Sequence, residues 1–144
     1  MGELTINELV ALSFSYLKLR RYADAETLLK PYYDNPQMKT GEIIINYLYA
    51  RYNGDKASLS KKAKEKIINK DNVVFSNDVI AVAWHFAGND DKSLDFLQKE
   101  INVRPAHKYD VLNWPVLYEL KNNKRFLKIT KLKYNRDKNN SEFQ

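Results

Sequence analysis

The two histidines, His85 and His107, are the side chains of this sequence best suited to metal binding or proton transfer. Neither has a cysteine, a second histidine or a carboxylate at ligand spacing along the chain, so the sequence predicts no metal site. Asp90 and Asp91 follow a Gly-Asn pair, a setting that favours helix capping over a catalytic carboxylate pair. The sequence also lacks cysteine, a Gly-rich phosphate loop and a nucleophile-elbow motif. We therefore expect a protein that is not an enzyme and needs no cofactor.

A cluster of basic residues near the C-terminus is the second candidate for a chemical role. Residues 106–144 contain 9 of the 24 Lys/Arg residues but only 4 of the 18 Asp/Glu residues. Residues 1–105 contain 15 Lys/Arg and 14 Asp/Glu, so the positive charge is concentrated near the C-terminus. Phe126 and Tyr134 lie among these cations, and such a pattern can track a phosphate backbone. Nucleic-acid binding is therefore an alternative function, although we favour a solvated face of a capping helix. The residues that would contact nucleic acid are Lys121, Lys124, Arg125, Lys128, Lys131 and Lys133.

The composition limits the class of protein. Hydrophobic residues make up 44% of the chain, too many for a disordered protein, and 4 Gly and 4 Pro are few for an all-β domain. No stretch approaches the roughly 18 apolar residues of a membrane span, and the start MGELTINEL does not resemble a signal peptide. The lack of cysteine fits a reducing compartment. We expect a cytoplasmic location, or a periplasmic one if the chain is excised from a larger membrane-anchored protein.

Apolar residues at helical spacing predict six helices, arranged as three pairs. They cover about 5–20, 23–33, 41–52, 56–70, 78–87 and 91–101. Thr5 and Glu8 have the spacing of a capping box at the start of the first helix. In each pair a long apolar helix is followed by a tight turn and a more polar helix. The apolar surface of the first helices is wider than one face, so each must be covered on more than one side.

The tight turns recur at a fixed period. They lie at Arg20, Gly54 and Gly88, so each turn is 34 residues from the next. This is the period of the tetratricopeptide repeat (TPR). The chain resembles this family, with repeats at about 6–39, 40–73 and 74–107. The first repeat carries the pattern best, and the second departs from it, with Tyr47 at a small-residue position and Leu59 at a close-approach position. The matching residues of the first repeat are Leu9, Leu12, Ser13, Tyr16, Tyr22, Ala25 and Leu29.

This resemblance implies an all-α fold, an α–α superhelix of about three helix pairs. A C-terminal capping helix pair at 108–134 would complete a single domain over 1–134 and cover the apolar face of the last repeat. Residues 135–144 would form a flexible polar tail. An unrelated α-helical bundle is the alternative fold.

The C-terminal third carries a second resemblance. The segments GNDDKSLDFLQKEINVRP and VLYELKNNKRFLKITKLK are similar to the end of TPR regions in bacterial transcriptional activators of the ToxR/CadC type and in repeat-bearing adenylate cyclases. Lys121, Asn123 and Lys124 depart from that pattern. The resemblance implies a regulatory or sensory part of a signalling or transcription protein. The matching residues are Leu117, Leu120, Lys121, Lys124, Arg125, Phe126 and Ile129.

The TPR resemblance also implies a concave face lined by the first helix of each pair. Such an apolar groove suits an amphipathic helix or an extended peptide, so we expect a protein or peptide partner there. Two other occupants of the groove stay open: the C-terminal cap, and a second copy of the chain in a homodimer. The residues of this predicted groove are Val10, Phe14, Leu17, Lys18, Ile44, Leu48, Arg51, Tyr52, Val82, His85 and Phe86.

Overall fold

Helices form the regular secondary structure throughout residues 3–71 and 73–131, the part of the chain that the computed structural model describes. No strand occurs in these residues, so the predicted all-α class is confirmed. The helices are α1 (Ile6–Lys18), α2 (Tyr22–Tyr33), α3 (Gly41–Arg51), α4 (Lys56–Ala63), α5 (Asn77–Phe86), α6 (Asp90–Val103), α7 (His107–Asn113) and α8 (Lys124–Ile129). A π-helical segment (Lys64–Ile68) extends α4, and a 3-10 helix (Pro115–Leu120) separates α7 from α8.

Side-chain caps define where several helices begin. Thr5 accepts a hydrogen bond from the backbone N–H of Glu8 at 3.1 Å, and Glu8 Oε1 accepts from the N–H of Thr5 at 2.8 Å. The predicted capping box is therefore present at α1. Asp55, Asn89 and Asn123 cap α4, α6 and α8 in the same way, each accepting from an N–H in the first turn. Asn89, the residue before Asp90 and Asp91, therefore caps α6.

The three predicted tight turns all contain left-handed backbone. Arg20, Gly54 and Gly88 have φ of 59°, 76° and 86°, and Asn53 has φ of 50°. A backbone hydrogen bond closes each turn: Arg21 N–H to Tyr16, Gly54 N–H to Tyr49, and Asn89 N–H to Trp84. These bonds satisfy carbonyls at the helix ends. The residue just before the donating N–H is Arg20 in the first turn, Asn53 in the second and Gly88 in the third. Asn53, and not the predicted Gly54, is therefore equivalent to Arg20 and Gly88.

Helices α1, α3 and α5 pack side by side, and each also packs on its neighbours along the chain. Ser13 and Ala25, which match the repeat pattern, have no exposed surface, and neither has Ala81 on α5. Tyr47, which stands where the repeat pattern has a small residue, is accommodated by stacking on Tyr33, with ring centroids 4.1 Å apart. Helix α3 lies in the middle and buries nearly all its side chains. Its buried residues are Gly41, Ile43, Ile44, Ile45, Asn46, Tyr47, Leu48 and Ala50.

The C-terminal region differs from the predicted pair of capping helices. Helix α7 ends at Asn113, and Pro115 begins the 3-10 helix, because a residue that precedes proline is disfavoured in the α-helical conformation. Trp114 has an extended backbone, with φ of −78° and ψ of 112°. We call the segment Trp114–Ile129 the cap. Its buried apolar residues are Trp114, Pro115, Val116, Leu117, Leu120, Phe126 and Ile129.

We predict that a methyl group at Gly41 destabilises the contact between α3 and α5. A Cβ there would overlap the side chain of Val79, whose Cγ2 would lie 2.8 Å away. Gly41→Ala should lower the free energy of unfolding, measured with urea, by about 1–3 kcal/mol, the usual cost of overpacking. The same change in a Val79→Ala background should be close to neutral. An equal loss in both backgrounds would show that the two helices do not approach as described.

Candidate functional site

A chain of buried hydrogen bonds fixes the cap against α1 and α3. Trp114 Nε1 donates to Asn46 Oδ1 at 2.8 Å, and Asn46 Nδ2 donates to Ser13 Oγ at 2.9 Å. Ser13 in turn donates to the carbonyl of Val10 at 2.8 Å. Asn46 and Ser13 have no exposed surface. The side chain that begins the cap is therefore attached to two helices that are distant in sequence.

Aromatic stacking adds to this attachment. Phe14 of α1, a predicted groove residue, stacks on Trp114, with centroids 5.6 Å apart and ring planes 15° from parallel. The 3-10 helix that follows contacts α1 and α5. The cap therefore lies across α1, α3 and α5, the helices predicted to line the groove. The C-terminal segment was one of the two alternatives to a partner as occupant of that groove.

The predicted groove residues consequently fall into three environments. Leu17, Leu48 and Val82 are core residues, at most 2% exposed, so in this structure they line no surface that a partner can reach. Ile44 and Phe86 are buried as well. Lys18 and Arg51 are exposed, and Arg51 forms an ion pair with Glu26 on α2. The half-buried residues of the set are Val10, Phe14, Tyr52 and His85.

A cavity of about 410 Å³ opens on one side of Trp114, and we call it the acidic cleft. Helix α1 supplies its apolar wall, and Trp114 and Val111 add to that wall. The facing wall is polar, because the first turns of α3 and α5 and the side of α7 bring three carboxylates and an imidazole together. The apolar residues from α1 are Ile6, Val10, Ala11 and Phe14, and the ionisable residues are Glu42, Asp78, Asp110 and His107.

A buried carboxylate lies beside this cleft. Glu100 on α6 is 1% exposed, and its Oε2 lies 2.6 Å from His107 Nδ1 and 3.2 Å from Arg104 Nη1. Ligand atoms of Asp78, Glu100 and His107 all lie within 4.8 Å of one another, a spacing at which the three side chains are placed to hold a metal ion. The cluster was not predicted because its residues come from α5, α6 and α7 and have no ligand spacing along the chain.

Glu42 is the ionisable group of the acidic cleft whose environment is most unfavourable for a charge. Burial raises the pKa of its carboxyl above the usual value, and repulsion from the nearby Asp78 and Glu100 carboxylates acts in the same direction. A backbone hydrogen bond and His107 oppose part of this effect. Among the residues that the structure describes, the lining of the cleft contains three carboxylates and no Lys or Arg.

A second cavity, of about 460 Å³, lies on the other side of the cap, and we call it the histidine cleft. Its walls include the turns at Gly54 and Gly88. His85 lies between two carboxylates, with Nδ1 2.7 Å from Asp90 and Nε2 3.4 Å from Glu119 of the cap. His85 thus links α5 to the cap, and its neighbouring carboxylates were not expected from the sequence. Its side chain is 9% exposed, which leaves little of it to a partner.

The basic residues of the alternative function that the structure describes are exposed, on the cap or just after it. Arg125 forms an ion pair with Asp95 on α6 and also reaches the carbonyl of Asp91. Lys133 lies outside the described residues, as do the polar tail 135–144 and Tyr134. The residues of this basic cluster that the structure describes are Lys121, Lys124, Arg125, Lys128 and Lys131.

Comparison with known proteins adds no identification: no family model, no curated protein and no solved structure matches this chain. Among the residues that the structure describes, no helix combines the length and apolar character needed to cross a bilayer.

We predict that the charge of Glu42 destabilises the folded state at neutral pH. A raised pKa in the folded protein means that its contribution to stability is present in acid and is lost as the pH rises through the raised value. Glu42→Gln should therefore increase the free energy of urea unfolding at about pH 7, and the gain should shrink towards about pH 4.

Glu3→Gln, a change of the same charge at an exposed position, is the matched control for this measurement. It should alter the free energy of unfolding little at either pH. A Glu42→Gln protein that is less stable than the parent at neutral pH would mean that the ionised carboxylate is satisfied in the cleft.

Proposed function

We propose that this chain is a non-catalytic protein-interaction module that binds a peptide or partner helix in the acidic cleft. The observation that carries the proposal is the pairing, in one open cavity of about 410 Å³, of an apolar wall from α1 with carboxylates from α3, α5 and α7. Ligand sites commonly combine apolar area with a few convergent polar groups that fix orientation.

The chemistry of the two walls defines the partner. An aliphatic or aromatic side chain would pack against Ile6 and Val10 of α1, and an adjacent lysine or arginine would face Asp78 and Asp110. An amphipathic helix presents such a pair on one face, and an extended peptide presents it at alternate positions. The partner is thus the amphipathic helix or extended peptide expected from the sequence, with a basic residue beside its apolar anchor.

We also propose, on sequence resemblance, that the helix pairs are TPR-like and form an α–α superhelix. The left-handed turns at Arg20, Gly54 and Gly88 and the side-by-side packing of α1, α3 and α5 are compatible with that arrangement. A regulatory or sensory role in a bacterial signalling or transcription protein rests on the C-terminal motif alone. A cytoplasmic location rests on the lack of cysteine.

Nucleic-acid binding through the cap remains the alternative function, with less support. Asp91 and Asp95 lie beside Arg125, and this negative charge weakens the local attraction for phosphates. Self-association is the other alternative. Ile6 at the edge of the acidic cleft and Tyr109 on α7 are 40% and 49% exposed, so a second copy of the chain would also find apolar surface there.

Selection of binders from a random-peptide display library tests the proposed function. We expect enriched sequences to combine a large apolar residue with nearby lysine or arginine. Asp110→Lys should weaken the best peptide roughly tenfold, about 1.4 kcal/mol, because it replaces an attraction by a repulsion. Val10→Asp should weaken it as well, because it places a carboxylate in the apolar wall.

Asp91→Lys, the same change of charge on the exposed surface of α6, is the matched control and should leave peptide affinity nearly unchanged. No enrichment, or enriched peptides that bind the Asp110→Lys and Val10→Asp proteins as tightly as the parent, would contradict the proposal. Light scattering of the same samples reports whether a second copy of the chain occupies the site instead.

A further inference from the structure

Three potential metal ligands converge where the acidic cleft meets α6. Asp78 is in the first turn of α5, Glu100 is in the last part of α6, and His107 begins α7. One carboxylate oxygen from each acid and one ring nitrogen of His107 lie within 4.8 Å of one another. The donor set consists of two carboxylates and one imidazole, contributed by three separate helices.

The charge balance at this point favours a bound cation. Glu100 is buried to 99%, and a buried carboxylate is stable only when it is paired or coordinated. Arg104, whose side chain is 57% exposed, is a partial counter-ion. The lining of the cleft adds Asp78, Asp110 and Glu42 to the negative side. The described residues of this lining include no Lys or Arg, so the acidic side chains at this point outnumber Arg104.

We propose that Asp78, Glu100 and His107 form a binding site for a divalent transition-metal ion such as Zn²⁺. Asp78 and His107 also line the acidic cleft, but the metal site does not rest on the peptide binding proposed above. Nitrogen from imidazole together with carboxylate oxygen suits Zn²⁺, whereas Mg²⁺ and Ca²⁺ prefer sets made of oxygen alone. Three protein ligands leave a coordination position for water or for a partner's side chain.

The geometry requires only small side-chain movements. In tetrahedral geometry, bonds to zinc of about 2.0–2.2 Å place two ligand atoms roughly 3.3–3.6 Å apart, so atoms that now lie up to 4.8 Å apart would move about 1 Å closer together. The contact between His107 Nδ1 and Glu100 Oε2, now 2.6 Å, would be replaced by bonds from both atoms to the ion.

Neighbouring groups already orient the two acids. Ser76 Oγ donates to one oxygen of Asp78, and Arg104 donates to both oxygens of Glu100. Such outer contacts hold ligands in position and commonly accompany metal sites.

Titration of the intact, chelator-treated chain with Zn²⁺ alone tests the site. We expect one ion per chain and a higher melting temperature in its presence, because an ion that binds only the folded state stabilises it. His107→Gln and Asp78→Asn should each weaken binding by at least about 100-fold, the upper end of what losing an outer-shell contact costs. His85→Gln removes the other imidazole, which also lies between two carboxylates, and should change affinity less than about twofold.

Nuclear magnetic resonance of the unmutated protein supplies a readout that does not depend on the folding of variants. Added Zn²⁺ should shift the ring signals of His107 and leave those of His85 in place. Lack of saturable binding at micromolar Zn²⁺, unchanged affinity in the His107→Gln protein, or a shift confined to His85 would each overturn the site. Peptide binding that persists in the absence of metal would leave the proposed function standing when the metal site fails.

Discussion

The buried amide of Asn46 determines how the C-terminal part of this protein is placed. Its Nδ2 donates to Ser13 and its Oδ1 accepts from Trp114, so both polar atoms are satisfied without water. Leaving either atom buried and unpaired would cost about 1–3 kcal/mol. The interaction is directional, unlike the apolar contacts around it, and it therefore selects one position of Trp114 on α1 and α3. The stacking of Trp114 on Phe14 supports the same position.

This placement gives the inner face its character. A continuous apolar groove along α1, α3 and α5 would bind partners by burial alone. With the cap across it, the face is divided into the acidic cleft and the histidine cleft, each with ionisable groups at its edge. Recognition by charge and by one apolar anchor follows from that division. The same packing that covers Leu48 and Val82 brings Asp78, Glu100 and His107 together.

Local patterns explain which parts of the structure were predictable. Helical spacing of apolar residues, the capping box at Thr5 and the turn at Gly88 depend on neighbours in sequence, and the structure has them. The position of the cap depends on one long-range hydrogen bond, from Trp114 to Asn46, for which the sequence contains no local signal. Leu17, Leu48 and Val82 were assigned to the groove by the repeat geometry that the TPR resemblance implies. That geometry does not distinguish an open face from a covered one.

Hydrogen exchange of the two tryptophan indole N–H groups, followed by nuclear magnetic resonance, tests the placement of the cap most directly. We expect the indole proton of Trp114 to exchange as slowly as the most protected backbone amides of α3, because it is released only when the domain unfolds. The half-buried Trp84 on α5 is the internal reference and should exchange faster. A Trp114 indole that exchanges as fast as that of Trp84 would contradict the account, because the cap would then leave its position on α1 and α3 without unfolding of the domain.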